Sequence, residues 1–145
     1  MSHPNSTLKK DLKMGRINEN KFKEFMEKKE DCKLKRFKDK YCELDFRVDN
    51  RLLELKSRNN KLKTYPDTMI GYNKIKKARK KIKKGFNVEF YFLFQDGLYK
   101  WNFVDNQFTK RLGGRNDRGE FENKLYAYID IKNLELVSEE INSYW

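Results

Sequence analysis

Histidine and cysteine are scarce in this chain. His3 is the one histidine, and Cys32 and Cys42 stand ten residues apart with no C-x-x-C spacing. A structural zinc needs about four ligands from such residues, so structural zinc is not expected and the cysteines read as reduced structural thiols. Long apolar runs are missing too. Nothing approaches the ~18 apolar residues of a membrane-spanning helix, and no apolar secretory stretch opens the chain. Met1-Ser2-His3-Pro4 does not fit a myristoylation signal. The expectation is a soluble intracellular protein, not secreted, with no membrane partner. Ser- or Pro-rich linkers, internal repeats and breaks in composition are likewise absent. A single domain over residues 1–145 is expected, with residues 1–12 frayed.

What is present is charge and aromatic rings. Lys and Arg number 34 against 22 Asp and Glu, a formal charge of +12 at pH 7. That imbalance favours an anionic partner, of which nucleic acid is the most common. Hydrophobic residues make up only 37%, but aromatics make up 14%, and a few large rings can supply much buried area. The chain should therefore fold rather than remain disordered.

Periodicity divides the sequence. A first helix is expected from about Gly15 to Glu30, with Phe22, Phe25 and Met26 on one side. Residues 31–40 read as a basic connection. From Tyr41 to Val48 polar and apolar residues alternate, as in a half-buried strand. Asp49-Asn50 is turn chemistry, and Arg51–Lys56 returns. Residues 57–68 read as a loop. The spacing of Met69, Tyr72, Ile75, Ala78 and Ile82 predicts a helix from about Thr68 to Lys84, stopped by Gly85. Phe86–Phe94 is a nearly unbroken apolar run, the pattern of a strand covered on both faces. Asp96-Gly97 signals a hairpin, with Leu98–Val104 returning. Gly113–Gly119 reads as a flexible loop and Lys124–Ile131 as a last strand, and a short helical tail is expected after Asn133. The order helix, hairpin, helix, hairpin, strand predicts an α/β fold with a mixed sheet flanked by helices.

The first hairpin carries the chemistry. A two- or four-residue loop at Asp49-Asn50 sets Val48 against Arg51, Phe46 against Leu53 and Leu44 against Leu55. On the other face Asp45 then opposes Glu54, and Glu43 opposes Lys56. Opposed residues have Cβ atoms about 4.5–5.5 Å apart, and like charges there are destabilising. Such a pair must be protonated, hydrated, or bridged by a cation. Oxygen ligands at that separation suit Mg²⁺, which keeps several waters and completes its shell with phosphate. Lys56 projects from the same face, where it can donate to a phosphate oxygen or help orient and deprotonate water. Against this stands an ordinary solvated sheet face, on which Glu-x-Lys arises by chance. The acid in register on the facing strand favours chemistry.

At these residues the chain resembles the PD-(D/E)xK nuclease superfamily, with its restriction-endonuclease-like fold, over roughly Gly15 to Val104. The stretch Tyr65–Ile75 together with Asp96-Gly97-Leu98-Tyr99 is also similar to small proteins of large DNA viruses. The resemblance implies that Asp45 and Glu54 are metal ligands, that Lys56 is the catalytic lysine, and that Glu19 on the first helix is a further metal ligand. Leu44 stands where the superfamily's name-giving proline would be, a departure that weakens the motif more than the mechanism.

Lys74, Lys76, Lys77, Arg79, Lys80, Lys81, Lys83 and Lys84 fall within eleven residues of the second helix, with Ile75, Ala78 and Ile82 facing inward. So many like charges repel along a helix, which favours phosphate tracking over a merely solvated face. Candidate nucleic-acid contacts are Ser57, Arg58, Lys61, Tyr72, Lys74, Lys77, Lys80, Lys81, Lys84, Arg115 and Arg118. The aromatic run Phe90–Phe94 reads as core rather than a stacking platform. Together these features predict a metal-dependent endonuclease or exonuclease that hydrolyses phosphodiester bonds in DNA, structure-selective or nonspecific. Mg²⁺ is the expected cofactor, with Mn²⁺ able to substitute. A homodimer would let two strands be cut. The alternatives are a non-catalytic nucleic-acid-binding module that keeps the nuclease fold, and a basic protein-interaction scaffold.

Overall fold

The computed structural model describes residues 6–37, 44–115 and 122–144. His3, Cys42, Glu43 and Arg118 lie outside the described residues. In chain order the elements are α1 (Ser6–Glu30), β1 (Lys35–Arg36), β2 (Phe46–Val48), β3 (Arg51–Ser57), a 3-10 turn (Leu62–Thr64), β4 (Asp67–Gly71), α2 (Tyr72–Lys83), β5 (Asn87–Phe94), β6 (Gly97–Asn102), β7 (Thr109–Arg115), β8 (Glu122–Asp130), a second 3-10 turn (Ile131–Asn133) and β9 (Glu135–Ser138). A six-stranded sheet runs β1-β2-β3-β5-β6-β9, and a three-stranded sheet runs β4-β8-β7. β3 and β5 are parallel, with α2 in the crossover between them; the other neighbouring pairs are antiparallel. The expected mixed sheet flanked by helices is therefore present. Among the described residues no helix is long and apolar enough to cross a membrane.

β5 explains the unbroken apolar run. Every residue after Asn87 is buried, and alternation sends them to two different cores. Tyr91 and Leu93 join Leu53, Leu55, Phe46 and α1's Phe22 and Met26. Val88, Phe90, Phe92 and Phe94 join Leu52, Trp101, α2's Ile75 and Ala78, and Ile70, Ala127 and Ile129 of the second sheet. Thus α1 covers one face of the main sheet, while α2 and the small sheet share the other. The hairpin β2–β3 has the predicted register, Phe46 against Leu53 and Val48 against Arg51. Asp49 takes φ 52° in the turn, a conformation that Asp tolerates better than most residues.

Several expectations are corrected. α1 begins at Ser6, so residues 6–12 are helical where fraying was expected. The basic connection contains β1, which extends the sheet beyond β2. Residues 67–71 form a strand, not the start of a helix, because Thr68 and Ile70 bury against β8 opposite Ile129 and Ala127. Ile82 is 43% exposed rather than inward, since it lies past the packed turns of α2. The second hairpin turns at Gln95-Asp96, with Phe94 opposite Gly97. Gly113–Arg115 belong to β7, not a loop. A Cβ on Gly113 would stand 2.5 Å from the Tyr128 hydroxyl and 3.1 Å from the Tyr126 ring, so glycine there makes room for the neighbouring strand's rings. After Asn133 the chain forms β9, paired with β6, in place of a helical tail.

Candidate active site

Two glutamates are buried in the main sheet, and their surroundings differ. Glu89 on β5 accepts from Arg51 at 2.8 and 2.9 Å and from the Tyr91 hydroxyl at 2.7 Å, with Lys100 at 3.6 Å. Burial works against its charge, but the donors from Arg51 and Tyr91 hold its carboxyl below the ordinary value. Arg51 also binds Glu30 at 2.6 Å, tying the end of α1 to the sheet. Glu89 is a satisfied structural acid.

Glu54 is not. It lies on β3 beside Phe90, two residues after the buried Leu52, on the face that α2 covers. It is 1% exposed. Its Oε2 meets the ammonium groups of Lys56 and Lys74, each at 3.4 Å. Its Oε1 is buried with no hydrogen-bond partner among the described residues. Buried polar atoms are nearly always partnered, and an orphaned carboxylate oxygen beside further acids marks a place for a cation.

Asp45 reaches the same neighbourhood by a route that strand alternation did not predict. The β2–β3 ladder stops at Phe46–Leu53, and Leu44 packs in the core beside Leu52 rather than opposite Leu55. Alternation breaks just before Phe46. Asp45 Oδ2 accepts the Leu55 backbone N–H at 2.8 Å, where a ladder carbonyl would otherwise sit, while the Asp45 carbonyl accepts from Phe37 at 3.0 Å. The aspartate is thus locked to β3 next to Glu54 by hydrogen bonding, not as a cross-strand ladder pair. Burial, then the Glu54 charge, pushes its carboxyl up to about 7 against the pull of the Leu55 N–H, and Glu19 adds to the rise.

Glu19 on α1 feels the same group of charges. Burial raises its pKa, Arg36 and Lys56 oppose the rise, and Glu54 adds to it. Three carboxyls and two lysines therefore share one field. Among the described residues no three acidic, histidine or cysteine side chains converge tightly enough to cage an ion alone. Two carboxylates, Asp45 and Glu54, with remaining positions open to water and phosphate, still fit Mg²⁺, which takes few protein ligands and keeps waters. The donors are all hard oxygens, and among the described residues Glu54 Oε1 has no other hydrogen-bond partner.

The predicted contact residues scatter. Lys74 joins Glu54. Ser57 is half-buried at the end of β3. Arg58 is turned inward: its guanidinium donates to the Thr68 hydroxyl at 3.2 Å and to the Met69 carbonyl, and lies over the Phe92 ring. It ties β3 to β4. Tyr72 accepts from Arg79 at 2.9 Å and packs beside Phe108, with Lys110 over its ring. Lys61 is exposed beside Leu62, Asp96, Tyr99 and Glu139. Lys77 and Lys81 are half-buried on α2, with Lys81 near the Phe86 ring, and Lys80 and Lys84 are exposed. Arg115 is placed on β7. Arg36 escaped the sequence reading altogether. It sits on β1, bonds Asn20 at 2.7 Å and screens Glu19. Only its place in a run of basic residues signalled it.

A mixed sheet carrying an acid before one strand and Glu-x-Lys on the next, with a helix crossing back to a parallel strand, defines the restriction-endonuclease-like class. The family model described as "phage putative PDDEXK endonuclease" matches residues 10–137. The chain belongs to that family, and is a nuclease at the family level. No curated protein and no solved structure matches it.

Proposed function

We propose that this protein is a divalent-metal-dependent nuclease that hydrolyses phosphodiester bonds in DNA, structure-selective or nonspecific in its choice of site. The observation that carries this is Glu54, buried, with two ammonium groups at one oxygen and, among the described residues, no hydrogen-bond partner at the other. Asp45 and Glu54 would hold the ion, with Glu19 flanking it. Mg²⁺, or Mn²⁺ in its place, supplies Lewis acidity and a bound water of lowered pKa. The chain's own groups do the rest. The Leu55 N–H fixes the Asp45 carboxylate, and Lys56 orients the attacking water or offsets charge on the phosphate. The α2 lysines draw in and track the backbone without reading sequence.

Supercoiled, linear, branched and single-stranded DNA, and RNA, incubated with Mg²⁺, Mn²⁺ or EDTA, test this directly. Cleavage should require the ion and fall by at least about 10²-fold in Asp45→Asn and in Glu54→Gln, as expected when a preorganised transition-state contact is lost. Undiminished cutting by both variants would place the site elsewhere. Salt-sensitive binding with no cleavage under any ion would favour the non-catalytic module.

A further inference from the structure

Lys74 is the third residue of α2, and its side chain is 19% exposed. The apolar stripe of the helix is already supplied by Ile75 and Ala78, both fully buried. Burying an ammonium is costly unless it is paired. Lys74 pairs with Glu54 Oε2, the same oxygen that Lys56 meets from β3, both at 3.4 Å. Two ammonium groups arriving from two elements thus stand at one oxygen of Glu54, in the field that Asp45 and Glu19 share. The first turn of α2 holds no acid, and Gly71 offers it no side-chain cap, so the positive end of the helix adds to the attraction for an anion. A divalent ion on the acids would take over the part of counter-cation and leave an ammonium for the phosphodiester.

We propose that Lys74 is a second catalytic lysine. Without a divalent ion it serves with Lys56 as a counter-cation of Glu54; in the working site its ammonium holds a non-bridging oxygen of the scissile phosphate. Lys56 is then left to orient water. This rests on the nuclease function proposed above and adds a residue to it.

Three measurements on the full chain test it, for wild type, Lys74→Met and Lys74→Arg. They are Mn²⁺ affinity by calorimetry without nucleic acid, single-turnover cleavage at saturating Mg²⁺ of a DNA that the wild type cuts, and thermal melting. Lys74→Met removes a cation that competes at Glu54, so Mn²⁺ should bind at least about threefold more tightly. Its cleavage rate should nevertheless fall about 10²–10³-fold, because a charge at the transition state is lost. Lys74→Arg keeps the charge but not its compact geometry, so Mn²⁺ affinity should stay within roughly twofold of wild type while part of the rate returns. Should Lys74→Met fail to melt cooperatively, Lys74→Gln takes its place with the same expectations. Unchanged or weaker Mn²⁺ binding, or a wild-type cleavage rate, overturns the role of Lys74. A wild type that neither binds Mn²⁺ nor cuts any substrate overturns the nuclease function first.

Discussion

At the residue scale, Asp45 is held where its charge is unwelcome. Burial and Glu54 push its carboxyl to about 7 from an ordinary value of 3.8. An acid whose folded pKa lies above its unfolded one binds its proton more tightly when folded. Its contribution to stability is therefore fully present below about 3.8 and is lost as pH rises through about 7. Metal-free protein should accordingly lose stability between pH 4 and pH 8, by up to about 4 kcal/mol from this group. Asp45→Asn keeps an acceptor for the Leu55 N–H and removes the charge. It should flatten the dependence and melt above wild type at pH 8, while being inactive. Saturating Mg²⁺ favours the ionised carboxylate and should restore wild-type stability at the alkaline end. Thermal melts across that range, in EDTA and in Mg²⁺, check all three outcomes. Equal slopes for wild type and Asp45→Asn in EDTA would remove Asp45 as their source.

At the scale of elements, β3 was legible because two signals agreed. Its alternation with β2 fixed the register at Phe46–Leu53 and Val48–Arg51, and the run in β5 announced a strand covered on both faces. β4 was not. Met69 and Tyr72 happen to continue the spacing of Ile75 and Ala78 backwards across a real boundary at Gly71, and the β-branched Thr68 and Ile70 were the overlooked signal. β9 hid for another reason: none of its residues is fully buried, so pairing with distant β6 decides its conformation. Glu54 and Lys56 could be read as a site from local spacing. Lys74 as a partner of Glu54 and Arg36 as a neighbour of Glu19 could not, because the packing of α2 and β1 brings them there. Arg58 shows the same limit from the other side, since a basic residue after an active strand looks like a phosphate contact. Its guanidinium instead satisfies the Met69 carbonyl and the Thr68 hydroxyl over Phe92. Arg58→Ala should cost about 2–3 kcal/mol in chemical denaturation, through an orphaned carbonyl and a lost ring contact. The salt dependence of DNA binding should stay as it was. An unchanged stability with a shallower salt dependence would return Arg58 to the DNA.

For the whole molecule, the charge of +12 is a statement about partners, and its distribution is the basis on which we propose where they dock. Lys76, Lys80 and Lys83 on α2 and Lys84 at its C-cap are all exposed, on the helix whose first turn brings Lys74 to Glu54. A backbone drawn to those lysines would lie along the element that helps build the site. Phosphate contacts release condensed counterions, so the slope of log affinity against log salt counts them, at about 0.9 per contact on duplex DNA. In a Glu54→Gln background, which separates binding from cutting, replacing these lysines by Gln should reduce that slope by up to about 3–4. The loss should be nearly equal for unrelated sequences, because backbone contacts carry no base information. Melting temperature should hold or rise, since like charges along a helix repel. Fluorescence anisotropy with labelled duplexes at a series of salt concentrations measures the slope. If it stays put while DNA still binds, the backbone runs over another surface, and α2 serves the site through Lys74 alone.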